Sequence, residues 1–133
     1  QPMLNEKNLK CNLHVPEDII MRCDANRMQR VFDNLLRNAV IYSFNGTDIN
    51  ITVTRQEDNV MISFTNYGDT IPVEKLERIF EQFYRLDASR STSSGGAGLG
   101  LAIAKQIVEF HHGTVQARSH DEVIEFEVVL PVS

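Results

Sequence analysis

Tryptophan is absent from this chain, cysteine occurs only twice, and long apolar runs are missing. Two thiols, Cys11 and Cys23, cannot build a disulfide framework or a four-ligand zinc site, so we expect reduced, structural thiols in a cytoplasmic compartment. No apolar run approaches the roughly 18 residues that a membrane-spanning helix needs, and there is no signal peptide. The net charge of −5 argues against nucleic acid as the partner, because binding a phosphate backbone requires clustered Lys and Arg.

The remaining composition is that of an ordinary globular domain. The chain has 133 residues, of which 42% are hydrophobic and 23% are charged. That length can bury a single core, and the balance differs from that of a disordered chain. No internal repeat or linker divides the sequence, so we expect one domain over residues 1–133.

Apolar spacing predicts the order of strands and helices. Met28 to Val40 follow the 3, 4, 7, 8 spacing of one helical face, with Asp24 in the N-cap position and Asn45-Gly46 as the stop after Ser43. The other predicted elements are strands at 9–15, 19–21, 49–53 and 60–64, a short helix at 73–80, a helix from Leu99 to Gly113, and a hairpin over 115–130. This order predicts an α+β fold, a two-layer sandwich with three helices on one face of a mixed, mostly antiparallel sheet.

A glycine-rich segment leads directly into the third predicted helix. Residues 87–98 have almost no apolar content, and a structureless loop of about 12 residues is uncommon in a compact domain unless it is functional. The residues at the start of the helix are Gly96, Gly98, Leu99, Gly100 and Leu101. Glycines here let successive backbone N–H groups point at one anion. Leu101 excludes both a P-loop, which needs Lys there, and a dinucleotide-binding turn, which needs glycine; a flexible linker is the remaining alternative.

Two side-chain amides lie one turn apart on the first predicted helix. At about 100° per residue, Asn34, Asn38 and Tyr42 fall in line on one flank of the apolar stripe. Magnesium prefers hard oxygen ligands and keeps waters while it bridges substrate phosphates, so one amide oxygen from Asn38 is a suitable ligand. The alternative is that both asparagines cap neighbouring backbone or face solvent.

Four sequence blocks follow one another between residues 24 and 105. They are Asn34-Leu-Leu-Arg-Asn38-Ala39, Asn66-Tyr-Gly68-Asp-Thr-Ile71, Ile79-Phe-Glu-Gln-Phe-Tyr-Arg85 and Gly95-Gly-Ala-Gly98-Leu-Gly100-Leu-Ala-Ile. In this order they resemble the catalytic ATP-binding domain of sensor histidine kinases, which has the Bergerat fold. The resemblance implies a site for ATP and Mg²⁺ beneath a flexible lid over about residues 81–98.

The resemblance assigns roles to residues outside the first helix. Asn66 and Gly68 would meet adenine, in the block that Ile71 completes. Phe80, Phe83 and Tyr84 correspond to aromatic residues that anchor one end of the lid, although such residues are mostly core. Arg85 and Arg90 flank the flexible segment and would meet phosphate oxygens.

Three positions discriminate within the family or depart from its usual pattern. Asn34 stands where gyrase-, Hsp90- and mismatch-repair-type ATPases have a glutamate that activates water, and an amide cannot serve as a general base. With Asn34 and Arg90 as catalytic residues, the resemblance therefore implies phosphate transfer to a side chain. Asn66 replaces the usual aspartate with a neutral acceptor that can also rotate to donate. Ile41 replaces a frequent lysine, which predicts modest nucleotide affinity.

The spelling around these blocks is similar to that of the vancomycin-resistance sensor kinases of the VanS type. The resemblance implies that the γ-phosphate of ATP passes to a histidine on a separate dimerisation domain of the same kinase, and that a response regulator acts downstream. It also implies a cytoplasmic domain of a bacterial membrane-bound sensor. None of the four histidines of this chain has the sequence context of a phospho-acceptor. An ATP hydrolase, an anti-sigma-type serine kinase and a non-catalytic nucleotide-binding module are the alternatives.

Overall fold

The computed structural model describes residues 8–14, 25–81 and 100–131. Its elements are β1 (Lys10–His14), α1 (Ala25–Tyr42), β2 (Asp48–Gln56), β3 (Asn59–Tyr67), α2 (Val73–Leu76), α3 (Gly100–Phe110), β4 (Thr114–His120) and β5 (Val123–Pro131). The strands form one five-stranded sheet in the order β1-β2-β3-β5-β4. Among these described pairs β1 and β2 run parallel, and the other neighbours run antiparallel. The predicted mixed, mostly antiparallel sheet is confirmed.

Alternation along the strands gives the sheet one apolar face. Val60, Ile62, Phe64 and Asn66 on β3 are buried, whereas the residues between them are half-buried. In the sheet register Phe64 lies beside Phe126 of β5, which is also buried. The core therefore lies on the face that carries the even-numbered residues of β3, and Asn66 is a polar residue on that face.

The opposite face of the sheet is polar. Nη2 of Arg118 lies 2.9 Å from Oε1 of Glu125 and 3.2 Å from Oε1 of Glu127. Hydrogen bonds to Glu127 and Glu125 raise the pKa of the Arg118 guanidinium, against a smaller opposing effect of partial burial. These three charged side chains form ion pairs on a solvated surface, so this face does not form a second core.

The helices cover the apolar face, as the two-layer prediction requires. Phe32 of α1 meets Phe64 edge-on, with ring centroids 5.7 Å apart, and this contact holds α1 over β3. Phe80 meets Phe126 in the same way at 5.9 Å. Edge-to-face pairs at such distances add to the stabilisation from area burial alone. Phe80 is therefore a core residue, as expected for this aromatic block.

Helix α3 packs beside α1 in the antiparallel sense. At its beginning, a Cβ placed on Gly100 would lie 3.4 Å from Oδ1 of Asn34. At its end, the guanidinium of Arg27 lies 4.7 Å from the ring centroid of Phe110, within cation–π range. The N-terminus of α3 therefore lies beside the middle of α1. Among residues 8–14, 25–81 and 100–131, no helix has the length and apolar character needed to cross a bilayer.

The ends of α1 and α3 match the sequence signals. α1 ends at Tyr42, and Gly46 follows with a φ of +76°, which glycine adopts without strain. After α3, the N–H of Gly113 donates to the carbonyl of Val108 at 2.9 Å. Nδ1 of His111 lies 2.8 Å from the carbonyl oxygen of Ile107, so this imidazole contacts one of the last carbonyls of the helix.

The predictions differ from the structure at α2. The helix covers Val73–Leu76, not 73–80, and turns continue to Phe80. The N–H of Arg78 bonds to the carbonyl of Lys75, and that of Glu81 to the carbonyl of Arg78, so three-residue spacing replaces the four-residue spacing of an α-helix. The predicted strand at 19–21, the Asp24 cap, Cys23 and the loop at 87–98 lie outside the described residues. Cys11 is a free thiol on β1.

Candidate functional site

The amide row predicted on the first helix is present on α1. Asn34, Asn38 and Tyr42 are all half-buried, and each stands one turn, about 6 Å of helical rise, from the next. The helix continues through all three because its buried stripe, which includes Val31, Leu35 and Ala39, packs on the sheet. The row lies on the flank of this stripe, which leaves the two amides at the margin of the core.

The donor atom of the Asn38 side chain makes no capping contact among the described residues. Its Nδ2 atom is buried and has no hydrogen-bond partner in the described part of the protein. The carbonyl of Ala39 next to it accepts from the Ser43 hydroxyl at 2.6 Å, so the end of the helix is satisfied by another side chain. A buried amide group without a partner costs about 1–3 kcal/mol. This finding disfavours the alternative in which Asn38 caps neighbouring backbone.

Asn66 has the same character, and it is more deeply buried. Only 1% of its surface is exposed, and its Nδ2 atom also has no partner among the described residues. The residue occupies an inward position of β3 that follows three apolar ones, Val60, Ile62 and Phe64. A polar group there breaks the apolar pattern of the strand, and no acceptor among the described residues explains its Nδ2 donor.

The end of α1 meets the end of β3 next to these amides. The N–H of Phe44 donates to the carbonyl of Tyr67 at 2.8 Å. A Cβ on Gly68 would overlap the carbonyl oxygen of Tyr42 and lie 3.3 Å from Cδ1 of Ile124. Glycine is therefore required for close approach of the two backbones, and its buried position beside Asn66 is fixed by this junction.

The turn between β4 and β5 holds the segment from Gly68 to Ile71. The N–H of Gly68 donates to the carbonyl of Glu122 at 3.1 Å, and the N–H of Glu122 donates to the Thr70 hydroxyl at 2.8 Å. The N–H of Ile71, itself buried, donates to the Ser119 hydroxyl at 2.9 Å. Sequence reasoning did not find Thr70, Ser119 or Glu122, since no local motif indicates contacts between segments so far apart in the chain.

The N-terminus of α3 forms the third side of the site. Gly100 lies against the Asn34 amide, and the half-buried Leu101 packs against the core. The first N–H groups of a helix have no partner within it and favour negative charge. The described candidate residues on α1, β3, the 68–71 segment and α3 are all uncharged, so among them only the peptide dipoles at the start of α3 favour an anion.

Two groups of contacts therefore emerge from the predicted set. Asn34 is brought to Gly100, and the C-terminal end of the row, at the Tyr42 carbonyl, is brought to Gly68. The remaining predicted residues lie outside the described part of the chain: Tyr84, Arg85, Arg90, Gly96, Gly98 and Leu99.

A single amide suits a magnesium ion that keeps most of its waters. Asn38 could offer one hard oxygen ligand, because rotation of the amide by 180° exchanges the positions of its oxygen and nitrogen. Among residues 8–14, 25–81 and 100–131, no group of three or more His, Cys, Asp or Glu side chains is placed to hold a metal. The donor chemistry fits a metal bound mainly through a phosphate ligand.

Known proteins resemble this chain at the levels of family, sequence and fold. Residues 23–133 match the family described as histidine kinase-, DNA gyrase B- and HSP90-like ATPase. The sensor protein VanSC of Enterococcus gallinarum is 44% identical over 130 residues, which are 98% of this chain and 36% of that protein. The sensor protein VanS of Enterococcus faecium is 46% identical over 130 residues, 98% of this chain and 34% of that protein. The chain thus spans about a third of the length of these relatives.

Solved structures agree with the same assignment. The catalytic domain of histidine kinase ThkA has a TM-score of 0.84 and 28% identity, covering 98% of this chain and 84% of that one. ThkA in complex with the response regulator protein TrrA gives 0.80 and 25%, covering 99% and 36%. The predicted two-layer fold and the predicted family are both confirmed. The chain belongs to the histidine kinase-, DNA gyrase B- and HSP90-like ATPase family, and within it is an ATP-binding catalytic domain of the histidine kinase type.

Proposed function

We propose that this domain, over residues 1–133, binds Mg-ATP and donates the γ-phosphate to a histidine on a separate dimerisation domain of the same kinase. The observation that carries the proposal is the pair of buried Nδ2 donors of Asn38 and Asn66, neither of which has an acceptor among the described residues. Each leaves a polar group unsatisfied beside the same helix–strand junction. A bound nucleotide offers hydrogen-bond and metal partners to both.

The two amides serve different parts of the nucleotide. Asn66, with Gly68 and Ile71 after it, contacts the purine base, and Tyr42 borders the same end. Asn38 would hold Mg²⁺, which would supply positive charge to offset that of the phosphates. Because Asn38 belongs to α1, the metal would be bound next to that helix.

The phosphates belong at the N-terminus of α3. Gly100 and Leu101 supply backbone N–H groups there, and the helix dipole favours an anion. Gly96, Gly98 and Leu99 continue this backbone cradle toward a lid over about residues 81–98. Within the lid, Tyr84 anchors one end and Arg85 and Arg90 meet phosphate oxygens, Arg90 acting on the transferred group. These lid assignments rest on the family resemblance and on the charge of the two arginines.

Asn34 makes this site a phosphotransferase site and not an ATPase site. Its amide has no basic atom that could remove a proton from water. It lies against Gly100, so it is placed to orient the groups at the start of α3. Phosphoryl transfer then depends on positioning and charge stabilisation: the bond from the γ-phosphorus to the leaving oxygen of ADP breaks as the bond to an imidazole nitrogen forms.

The proposed setting is two-component signalling. The relatives VanSC and VanS are named as sensor proteins, and ThkA is known in complex with a response regulator. By this likeness, the parent of this domain is a bacterial membrane sensor with the domain on the cytoplasmic side, acting on a response regulator indirectly. The VanS likeness extends the proposal to vancomycin resistance.

Radiolabelled ATP tests the proposal directly. The 133-residue chain is incubated with magnesium and γ-labelled ATP, alone and with a dimerisation domain of the VanS type supplied in trans. We expect ATP binding without stable self-labelling or rapid turnover when the chain is alone. With the second domain, we expect acid-labile, base-stable label on that domain. Acid-stable label on this chain would support the serine-kinase alternative, and fast phosphate release without a partner would support the ATP hydrolase.

A further inference from the structure

We infer that Asn66 lets this site take guanine or hypoxanthine nucleotides as well as adenine nucleotides. The inference rests on the proposed nucleotide site and concerns its substrate class. It starts from an observation on one atom: Nδ2 of Asn66 is a buried donor without an acceptor, on a residue that is only 1% exposed. The group that completes this site must offer an acceptor to that donor.

The two purine types present opposite patterns at the edge that would face Asn66. Adenine has an amino donor at position 6 and a ring-nitrogen acceptor at position 1. Guanine and hypoxanthine have a carbonyl acceptor at position 6 and an N–H donor at position 1. A side-chain amide carries one acceptor and two donor hydrogens, and its two ends exchange places by rotation. Asn66 therefore complements either edge without movement of the base.

Because the backbone around Asn66 is fixed, rotation of its side-chain amide is the way in which the site adjusts to either base. The strand around Asn66 is fixed in the sheet by its pairing with Ile124, and Gly68 is held by its bond to Glu122 and packs closely against the carbonyl of Tyr42. The backbone around Asn66 therefore cannot move to match a different base. A carboxylate at this position would offer two acceptors and no donor, so it would match the adenine amino group and repel the position-6 carbonyl.

Inosine triphosphate isolates the predicted contact, because it differs from ATP only at the edge in question. Dissociation constants of ATP, ITP and GTP are measured by calorimetry on the full 133-residue chain with magnesium. For the wild-type chain we expect ITP to bind within about tenfold of ATP, the scale of one net hydrogen bond. GTP compared with ITP then reports any effect of the extra amino group at position 2.

Two substitutions assign the effect to the amide. Asn66→Asp is expected to raise the preference for ATP over ITP by at least about fivefold, the lower end of the cost of an unpaired buried group. Asn66→Ala removes both functions and is expected to weaken ATP and ITP equally, with their ratio unchanged. Asn50→Asp, which adds a charge on the opposite face of the sheet, serves as the matched control and should leave the ratio as in the wild type. Thermal melts verify that each variant is folded.

The outcomes separate this inference from the proposed function. If ATP binds and ITP binds more than about tenfold more weakly, the nucleotide site stands and the inference that it accepts both base types is wrong. If neither nucleotide binds to the folded wild-type chain, the proposed function itself fails. The wild-type ratio decides the matter even where Asn66→Asp does not fold.

Discussion

Replacement of Gly68 by alanine tests whether the junction between α1 and β3 shapes the site. The added methyl would overlap the carbonyl oxygen of Tyr42 and lie 3.1 Å from its carbonyl carbon. Neither backbone can retreat independently, because the N–H of Phe44 is bonded to the carbonyl of Tyr67 and the N–H of Gly68 to that of Glu122. The overlap must therefore displace the segment that carries Asn66 or the last turn of α1.

The structure sets the scale of both expected effects. Overpacking of a tight site costs about 1–3 kcal/mol. For a domain of this size that corresponds to a fall of roughly 3–12 °C in the melting temperature. A displaced Asn66 also loses its contact with the base, so we expect ATP affinity to fall by about tenfold, equivalent to about 1.4 kcal/mol. Melting curves and calorimetric titrations of the same preparation measure the two effects.

Gly113 provides a matched control for steric damage. Its added methyl would overlap the carbonyl oxygen of Val129 and lie 2.7 Å from Cδ2 of Leu130. This position lies beyond the C-terminus of α3, at the opposite end of that helix from Gly100. Gly113→Ala should therefore lower the melting temperature to a similar extent and leave ATP affinity unchanged in the folded fraction. If Gly68→Ala loses stability but binds ATP as well as the wild type does, the junction does not shape the site.

Substitutions at three further positions probe the metal, phosphate and loop contacts. Asn38→Ala should abolish magnesium-dependent ATP binding with the melting temperature retained, because it removes a buried unpaired group; unchanged affinity in calorimetry with magnesium would exclude the metal assignment. Ile41→Lys should tighten ATP binding, with a gain that shrinks as salt reduces the screening length to below about 8–10 Å; a salt-independent affinity would place Ile41 away from the phosphates. Ser119→Ala should raise the dissociation constant of ATP by about two- to twelvefold, since the Ile71 N–H loses its acceptor. Ser119→Thr should restore it, and equal weakening by both variants would contradict a role for the hydroxyl.

Periodicity in the sequence was sufficient to predict most of the described fold. The stripe on α1 and the alternation on β2, β3 and β5 were read correctly because burial of one face enforces those periods. The length of α2 was predicted wrongly. The apolar spacing around Val73–Leu76 does not distinguish an α-helix, with hydrogen bonds four residues apart, from turns with bonds three residues apart. Its three-residue bonds, such as that from Arg78 to Lys75, are set by local geometry that composition does not reveal.

Site residues that belong to short sequence motifs could be predicted, whereas those placed by tertiary contacts could not. The positions of Asn38 and Asn66 followed from short blocks of sequence. That both amides lack partners did not follow, because it depends on which groups the fold brings near them. The bond from Ile71 to Ser119 joins residues 48 positions apart, and the hydroxyl has no local pattern that distinguishes it from a surface serine.

Asn66 illustrates how a departure from the folding pattern indicates function. The inward positions before it on β3 are apolar, as is its neighbour Ile124 on β5, so an apolar residue at 66 would pack with them. The asparagine instead leaves a buried donor unpaired at a cost of about 1–3 kcal/mol to the unliganded fold. A ligand at a hundred times its dissociation constant stabilises the folded state by about 2.7 kcal/mol, which offsets such a cost. The nucleotide-bound domain should therefore be the more stable form, and in the proposed site the group that destabilises the unliganded fold is the one that would contact the base.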